Sequence, residues 1–242
     1  MKRLLCVLTI AIGTLLAMGG SPALAARSAG PLVPASGSLK GFTGGELLGE
    51  ELRQLFELPA SQNPLAGMGE SCFSAGKHDD VLILWTRPPD QDPARCTVRS
   101  GTPVFTFAIF NECSSVEEAP FDGGETEDGQ RRCAETGLDE FAAGQRPPFP
   151  AVEQILVSID GRRPTDIFSD RYRAGSPQMT ANLPAENVIG VAPQAMTFVA
   201  AGWVAMIPPL PPGTHTISVS VVNKEGDPFV TGAEVTVIPG RS

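Results

Sequence analysis

A series of short apolar runs, each bounded by glycine, proline or aspartate, points this chain towards a β-rich fold. In ILVSIDG, Ile155, Val157 and Ile159 alternate with other residues, and HTISVSV repeats this period of two. The runs at 81–85 and 104–110 are apolar on both faces and are expected to be central strands. Because helical patterns do not alternate with the strands, we predict an all-β fold, an antiparallel β-sandwich that is immunoglobulin-like or jelly-roll-like.

One short helix is expected ahead of these strands. Thr43 and Glu46 have the spacing of a capping box, and Pro59 marks the end of the segment. Between them, apolar residues recur with helical period at Leu48, Leu52, Leu55 and Phe56. This pattern predicts a peripheral N-terminal helix packed against a sheet.

The amino-terminal segment has the order of a secretory signal peptide. Cations at Lys2 and Arg3 precede an apolar run that contains Cys6, and the small residues Ala-Leu-Ala follow. We therefore predict a signal peptide at 1–25. The Pro/Gly/Ser-rich stretch 26–41 is interpreted as a flexible leader, and residues 42–242 as a single β-sandwich domain.

The net negative charge of the chain argues against two classes of binding partner. The net charge is −9, and it becomes −11 when the predicted signal peptide is removed. Such a polyanion is a poor partner for nucleic acid or an anionic membrane. The uncharged stretch around 187–223 is interrupted by prolines, so no membrane insertion is expected after signal removal. The predicted location is secreted, either extracellular or in the cell envelope.

Four cysteines remain after signal removal: Cys72, Cys96, Cys113 and Cys133. An even number in an exported chain, with no C-x-x-C spacing, favours two disulfides. If 96–110 forms a hairpin, Cys96 faces Thr106, and Cys113 lies roughly 20 Å further along, beyond the ~7 Å a disulfide spans. We therefore favour the pairs Cys72–Cys96 and Cys113–Cys133.

Residues 112–150 are acidic and rich in glycine and proline, which predicts a long acidic loop. Within it, FDGGETEDG supplies four carboxylates that are candidates for a weak calcium site: Asp122, Glu125, Glu127 and Asp128. Their spacing does not match an EF-hand, so an ordinary charged loop is favoured. Calcium is the only candidate cofactor that this sequence suggests.

Other acidic residues could supply the two facing carboxylates of a glycosidase-like hydrolase, which lie ~5 to 9.5 Å apart. The candidates are Glu117, Glu118, Asp139 and Glu140. Acid pairs occur readily in any acidic chain, so this pattern alone does not indicate catalysis.

Three aromatic residues are candidates for a ligand platform. Trp85 and Trp203 lie in apolar runs, which favours core positions. Tyr172 lies between two arginines and is expected to be exposed in a loop.

The two histidines of the chain are interpreted as structural. His215 is in phase with Ile217 and is expected to be packed and hydrogen-bonded near a strand end. No G-x-S-x-G motif is present, so a nucleophilic triad is not expected. The run His78-Asp79-Asp80 is expected to form a solvated turn, because adjacent residues do not converge easily on one metal ion.

Two resemblances follow from longer motifs. LPPGTHTISVSVVNKEGDPFVTGAEVTVI (210–238) resembles the closing strands of bacterial immunoglobulin-like modules. Over 47–222, LPASQNP, a C-T-V…G strand pair, N-E-C, I-D-G and LPPGTHTI together resemble a family of uncharacterised secreted bacterial proteins. Leu55 and Phe56 stand where that family often has tryptophans. The resemblance implies export and a β-fold, and it supplies no activity.

From these features we predict a secreted, noncatalytic binding or scaffold module. Its partner is expected to be an extracellular ligand, either a carbohydrate, a peptide or a protein. The alternatives are a carboxylate-dependent hydrolase and a calcium-dependent adhesion module.

Overall fold

The computed structural model describes residues 31–88 and 90–240, which form two β-sheets and two helices. Sheet I has the strand order β1-β2-β4-β9-β7, and β8 also pairs with β9. Its strands are β1 (Cys72–Ala75), β2 (Val81–Leu84), β4 (Val104–Ser114), β7 (Arg173–Gly175), β8 (Met179–Asn182) and β9 (Ala195–Ile207). Sheet II has the order β3-β11-β10-β5-β6. Its strands are β3 (Ala94–Arg99), β5 (Val152–Ile159), β6 (Thr165–Asp166), β10 (Gly213–Asn223) and β11 (Pro228–Ile238).

Both sheets are mixed, so the prediction of a purely antiparallel sandwich was wrong. β2 runs parallel to β4, and β3 runs parallel to β11. The predicted 96–110 hairpin does not form, because β3 belongs to sheet II and β4 to sheet I. A period of two in the sequence shows which faces of a strand are covered, but it carries no information on the direction of the neighbouring strand.

The first helix, α1 (Gly44–Phe56), confirms the predicted N-terminal helix and its capping box. The side chain of Thr43 accepts a hydrogen bond from the Glu46 amide, and the Glu46 carboxylate accepts one from the Thr43 amide at 2.7 Å. These bonds pair two of the amides that a helix start leaves without partners.

A second helix, α2 (Glu127–Ala142), was missed and corrects the predicted acidic loop at 112–150. Thr126 caps it by accepting a hydrogen bond from the Gly129 amide. Its buried face consists of Gln130, Ala134, Gly137 and Leu138. Since only two of these four side chains are apolar, the helical period is hard to detect in the sequence.

The two cores define three layers. One core lies between the sheets and includes Ile109, Trp203 and Val235, together with Ala134 and Leu138 of α2. The other lies between α1 and the opposite face of sheet I, and includes Leu52 and Phe198. Sheet I is therefore the central layer, with α1 on one face and sheet II with α2 on the other.

The segment predicted as a flexible leader packs onto sheet I from residue 31 onwards. Leu32, Ala35 and Leu39 are buried, and the Val33 amide donates to the carbonyl of Met206 at 2.8 Å. Small and proline-rich composition therefore did not mean flexibility here, because apolar side chains at wide spacing anchor the chain. The predicted signal peptide and the rest of the leader, residues 26–30, lie outside the described residues.

Both predicted disulfides are present. Cys72 joins Cys96 and Cys113 joins Cys133, with Cα separations of 5.7 and 5.9 Å. Such bonds are typical of an oxidising, extracellular environment. Among the residues that the structure describes, no helix is long and apolar enough to cross a bilayer.

Candidate ligand-binding cleft

The outer edge of β4 is open over most of its length. β2 is only four residues long and pairs with β4 solely at Val104 and Phe105, whereas β9 pairs with β4 as far as Ser114. Within the described part of the chain, no strand pairs with this edge between 106 and 113. A β-bulge at Ala108 bends the strand at this point.

An apolar groove lies along this open edge, between sheets I and II. It has a volume of about 490 Å³ and is lined on one side by residues 106–110 of β4. Sheet II supplies Val221 and Phe229 to the other side, and Trp85 and Phe149 form part of the wall. This is the size and lining of a small-ligand or side-chain pocket.

Aromatic side chains give the groove its character. Trp85 and Phe107 pack edge to face with ring centroids 5.3 Å apart, and Phe107 and Phe110 do so at 4.8 Å. Phe149 and Phe229 are 52% and 60% exposed, which is unusual for side chains this large and apolar. The groove therefore offers uncovered apolar surface to a ligand.

A polar cavity of about 1040 Å³ continues from the groove. Phe110, Phe141 and Phe149 line both, so the two spaces form one cleft. The ionisable side chains in the wall of the polar cavity are Glu112, Glu117, Glu140 and Arg146.

Glu112 is the most unusual of these groups. Its side chain is on β4 and only 8% of the residue is exposed. Burial raises the pKa of its carboxyl well above the ordinary value, and the charge of Glu117 and a side-chain hydrogen bond with Glu117 raise it further. Glu117 itself accepts a hydrogen bond from the Ser114 hydroxyl at 2.8 Å. The two carboxyl groups thus interact with each other within one cavity.

Arg146 also lines the polar cavity and is held in place by two side chains. Its Nε lies 3.1 Å from Glu140 Oε2, and its Nη1 donates to Asn111 Oδ1 at 3.0 Å. Asn111 in turn donates to the carbonyl of Ala134 in α2 at 3.3 Å. Gly137 allows this approach, because a side chain there would meet Asn111 and Arg146. Helix α2, which the sequence did not predict, therefore positions the guanidinium group of Arg146 in the cavity.

The structure separates the four carboxylates considered for a hydrolase. Glu117 and Glu140 both line the polar cavity. Glu118 is exposed, and Asp139 pairs with Arg173 at 2.6 Å. Sequence reasoning missed Glu112, although a charged residue inside a strand that is buried on both faces was a usable signal.

The calcium candidates lie around the start of α2. Asp122 accepts a hydrogen bond from the Gly124 amide at 2.9 Å, and Glu127 pairs with Arg131 one turn along the helix. Over 31–88 and 90–240, no group of three or more His, Cys, Asp or Glu residues is arranged to hold a metal ion. Acidic residues at this position also stabilise a helix through its dipole. The calcium hypothesis stays a prediction.

The aromatic predictions had mixed outcomes. Trp203 is buried in the inter-sheet core, as expected, and Trp85 is partly buried in the wall of the groove. Tyr172 is only 8% exposed, so its predicted exposure was wrong. Exposure was predicted because arginines flank Tyr172 on both sides. Both arginines lie over aromatic rings instead, since Arg171 covers the Tyr172 ring and Arg173 reaches over Trp203. His78 and Asp79 form the expected exposed turn.

Comparisons with known proteins add little to this geometry. No family model matches the chain, and no curated protein matches it. Among solved structures, the chain is similar to the solution structure of amebosin, with 7% identity and a TM-score of 0.23, over 65% of this chain and 96% of that one. A likeness at this level carries no argument about fold or function. The resemblance to secreted bacterial proteins stays a prediction.

Proposed function

We propose that this protein is an exported, noncatalytic binding protein that takes an extended peptide into the cleft as an added strand on β4. The observation that carries the proposal is the open edge of β4 between 106 and 113, along which the apolar groove and the polar cavity lie one after the other. Unpaired strand edges are a common docking site for extended peptides, because main-chain hydrogen bonds supply affinity without a fixed sequence.

The two cavities fit the geometry of an added strand. Along β4, Ile109 packs in the inter-sheet core and Phe110 packs against the α1 core, so neighbouring side chains face opposite sides of sheet I. A bound strand alternates in the same way. A peptide on this edge would therefore run from the apolar groove into the polar cavity with its side chains on both sides of sheet I, which supports a peptide over a carbohydrate.

Selection from a displayed peptide library against the oxidised chain, followed by calorimetry, tests this proposal. Replacing the exposed walls Phe149 and Phe229 with serine should weaken binding of a selected peptide at least ~10-fold, as expected for aromatic anchors. Met68→Ser is the matched control, because Met68 is 53% exposed and lies outside the cleft.

Two outcomes would contradict the proposal. One is a selected peptide whose affinity is the same in the Phe149→Ser, Phe229→Ser and Met68→Ser variants. The other is binding of oligosaccharides, with no peptide selected, which would assign the aromatic groove to a carbohydrate.

A carboxylate-dependent hydrolase is the second candidate, favoured by Glu112 and Glu117 in one cavity. A carboxyl group with a raised pKa beside a second carboxyl group is an arrangement used in general acid and base catalysis. A broad screen of glycosides, esters and peptides tests it. Any turnover should fall at least ~100-fold in Glu112→Gln and Glu117→Gln. It should remain in Glu118→Gln, because Glu118 is exposed outside the cavity.

A further inference from the structure

Glu112 lies in the wall of the polar cavity, and one of its two carboxylate oxygens is buried and unsatisfied. More than nine-tenths of the residue is buried, and Oε2 has no hydrogen-bond partner among the described residues. The residues that precede it on this face of β4 are aromatic, Phe107 and Phe110. A buried carboxyl group without a partner lowers the stability of a fold. Its position beside a cavity therefore points to a ligand that supplies the missing partner.

The cavity has more negative than positive groups. Four ionisable side chains face it: Glu112, Glu117, Glu140 and Arg146. Arg146 is paired with Glu140 at 3.1 Å, and its other hydrogen bond goes to Asn111. Glu117 accepts a hydrogen bond from a neutral hydroxyl, that of Ser114, and its carboxyl also interacts with that of Glu112. The Glu112 and Glu117 pair is thus not balanced by a cation of the described chain.

The other walls fit an organic cation better than a metal ion. The aromatic residues in the wall are Phe56, Phe110, Phe121, Phe141 and Phe149. The guanidinium of Arg146 already lies 5.6 Å from the centroid of one of them, Phe121. Aromatic faces attract ammonium and guanidinium groups, whereas calcium takes six to eight oxygen ligands. The described residues contain no metal-binding group of three or more side chains.

We propose that Glu112 and Glu117 form a subsite for one alkylammonium or guanidinium group, whose apolar stem packs against Phe110 and Phe149. The natural ligand group is then a lysine or arginine side chain. This identification rests on the proposed function, because a peptide strand on β4 would deliver such a side chain from the position opposite Glu112. The subsite gives the cleft a preference for basic peptides.

Cation binding at this subsite is linked to a proton. Burial and the charge of Glu117 raise the pKa of Glu112, so the empty site holds a proton on Glu112 over a wider pH range than a free carboxyl does. A bound cation favours the ionised carboxylate. Binding therefore releases a proton, and affinity rises with pH until Glu112 is ionised in the empty site. Glu140 and Arg146 face the same space, but their charges offset each other.

Calorimetric titration of the oxidised chain with butylammonium and butylguanidinium tests the subsite, with 1-butanol as the neutral probe. Both cations should bind at least ~10-fold more tightly than 1-butanol, because they form charge-assisted hydrogen bonds. Glu112→Gln should remove this preference, and Glu118→Gln should retain it. Titrations in buffers of different ionisation enthalpy should report release of up to one proton in the parent and none in Glu112→Gln.

A second measurement uses the parent chain alone, so it does not depend on whether the Glu112→Gln variant folds. The ¹³C resonance of the Glu112 side-chain carboxyl should shift when butylammonium is added to the parent chain. Equal affinities for butylammonium and 1-butanol, or an unmoved resonance, would overturn the subsite. Calcium that displaces the amine and binds more tightly would assign the pair to a metal and overturn it too.

The outcomes also separate the subsite from the proposed function. Peptides that bind the β4 edge with no preference for lysine or arginine refute the subsite alone. Amines that bind through Glu112 in a chain that binds no peptide refute the peptide proposal alone.

Discussion

Nδ1 of His215 lies 2.9 Å from Oδ2 of Asp160, and this contact fastens the turn after β5 to the start of β10. The other ring nitrogen, Nε2, lies 2.8 Å from the carbonyl oxygen of Pro211. Asp160 has a φ of 56° and also accepts a hydrogen bond from the Thr216 amide at 3.1 Å. His215 therefore has the structural role predicted from its strand phase, with both nitrogens occupied.

Replacing the buried His215 with phenylalanine should lower the free energy of unfolding by about 1–2 kcal/mol, because the Asp160 carboxylate and the Pro211 carbonyl lose their contacts with the imidazole ring. Denaturant unfolding of the oxidised chain measures the change. His78→Phe is the matched control, since His78 is exposed in a turn, and it should stay within about 0.5 kcal/mol of the parent. A loss of the same size in both variants would contradict the structural role of His215.

Glu51 on α1 is fully buried, and neither of its carboxylate oxygens has a partner among the described residues. Burial raises the pKa of this carboxyl well above the ordinary value. Glu51→Leu should therefore raise the free energy of unfolding by about 1–3 kcal/mol at neutral pH. Because the folded-state pKa lies above the unfolded one, the parent loses stability as pH rises between the two values. The gain in Glu51→Leu should grow over that range, as thermal unfolding at a series of pH values will report.

The neighbouring Glu50 provides the contrasting control. Partial burial acts to raise its pKa, but hydrogen bonds from Arg53 and Gln54 and the charge of Arg53 outweigh it, so the pKa is lowered. Its stabilisation is present above the unfolded-state pKa and is lost as pH falls through the folded-state value. Glu50→Leu should therefore destabilise the chain near neutral pH. If the change in the free energy of unfolding has opposite signs in Glu51→Leu and Glu50→Leu, it reflects the local environment of each carboxyl group and not a general effect of removing a charge.

Strand patterns and cysteine spacing predicted most of the β-structure and both disulfides. The reasoning behind the disulfides was nevertheless partly wrong, since Cys96 and Cys113 are kept apart by their different sheets and not by a hairpin. Alternation reports burial on a strand's two faces, whereas sheet membership depends on contacts between distant segments. Sequence reasoning therefore found the elements more reliably than their arrangement.

The candidate cleft could not be predicted from local sequence. It depends on the different lengths of strands β2 and β4 and on α2, a helix that the sequence did not predict. β2 is shorter than β4, which leaves the edge open, and α2 positions Arg146 through Asn111. Glu117 and Glu140 were singled out as acids, but their partner in the cavity is Glu112. Only the fold brings these groups together from β4, the following loop and α2.

The Cys113–Cys133 disulfide joins the end of β4 to α2 and closes a segment with a sequence separation of 20. Replacing both cysteines with serine should lower the free energy of unfolding by ~3 kcal/mol. Hydrogen exchange should then quicken most in α2. The Cys72 and Cys96 double serine variant is the control, because its disulfide joins β1 to β3 with a separation of 24. Equal loss of α2 protection in both variants would contradict a local role for Cys113–Cys133.

Gly137 is needed where α2 approaches β4. A methyl group at this position would lie 2.6 Å from Arg146 Nη2 and would also meet Nδ2 of Asn111. Alanine improves intrinsic helix propensity by about 1 kcal/mol, but overpacking at a tight contact typically costs about 1–3 kcal/mol. Gly137→Ala should therefore lower stability on balance and displace Arg146 from the polar cavity, which a changed ¹⁵N resonance of its guanidinium would show. Thr136→Ala, one residue earlier on the exposed face, should be neutral or slightly stabilising. If Gly137→Ala were equally well tolerated, the close packing of α2 on β4 that positions Arg146 would be refuted.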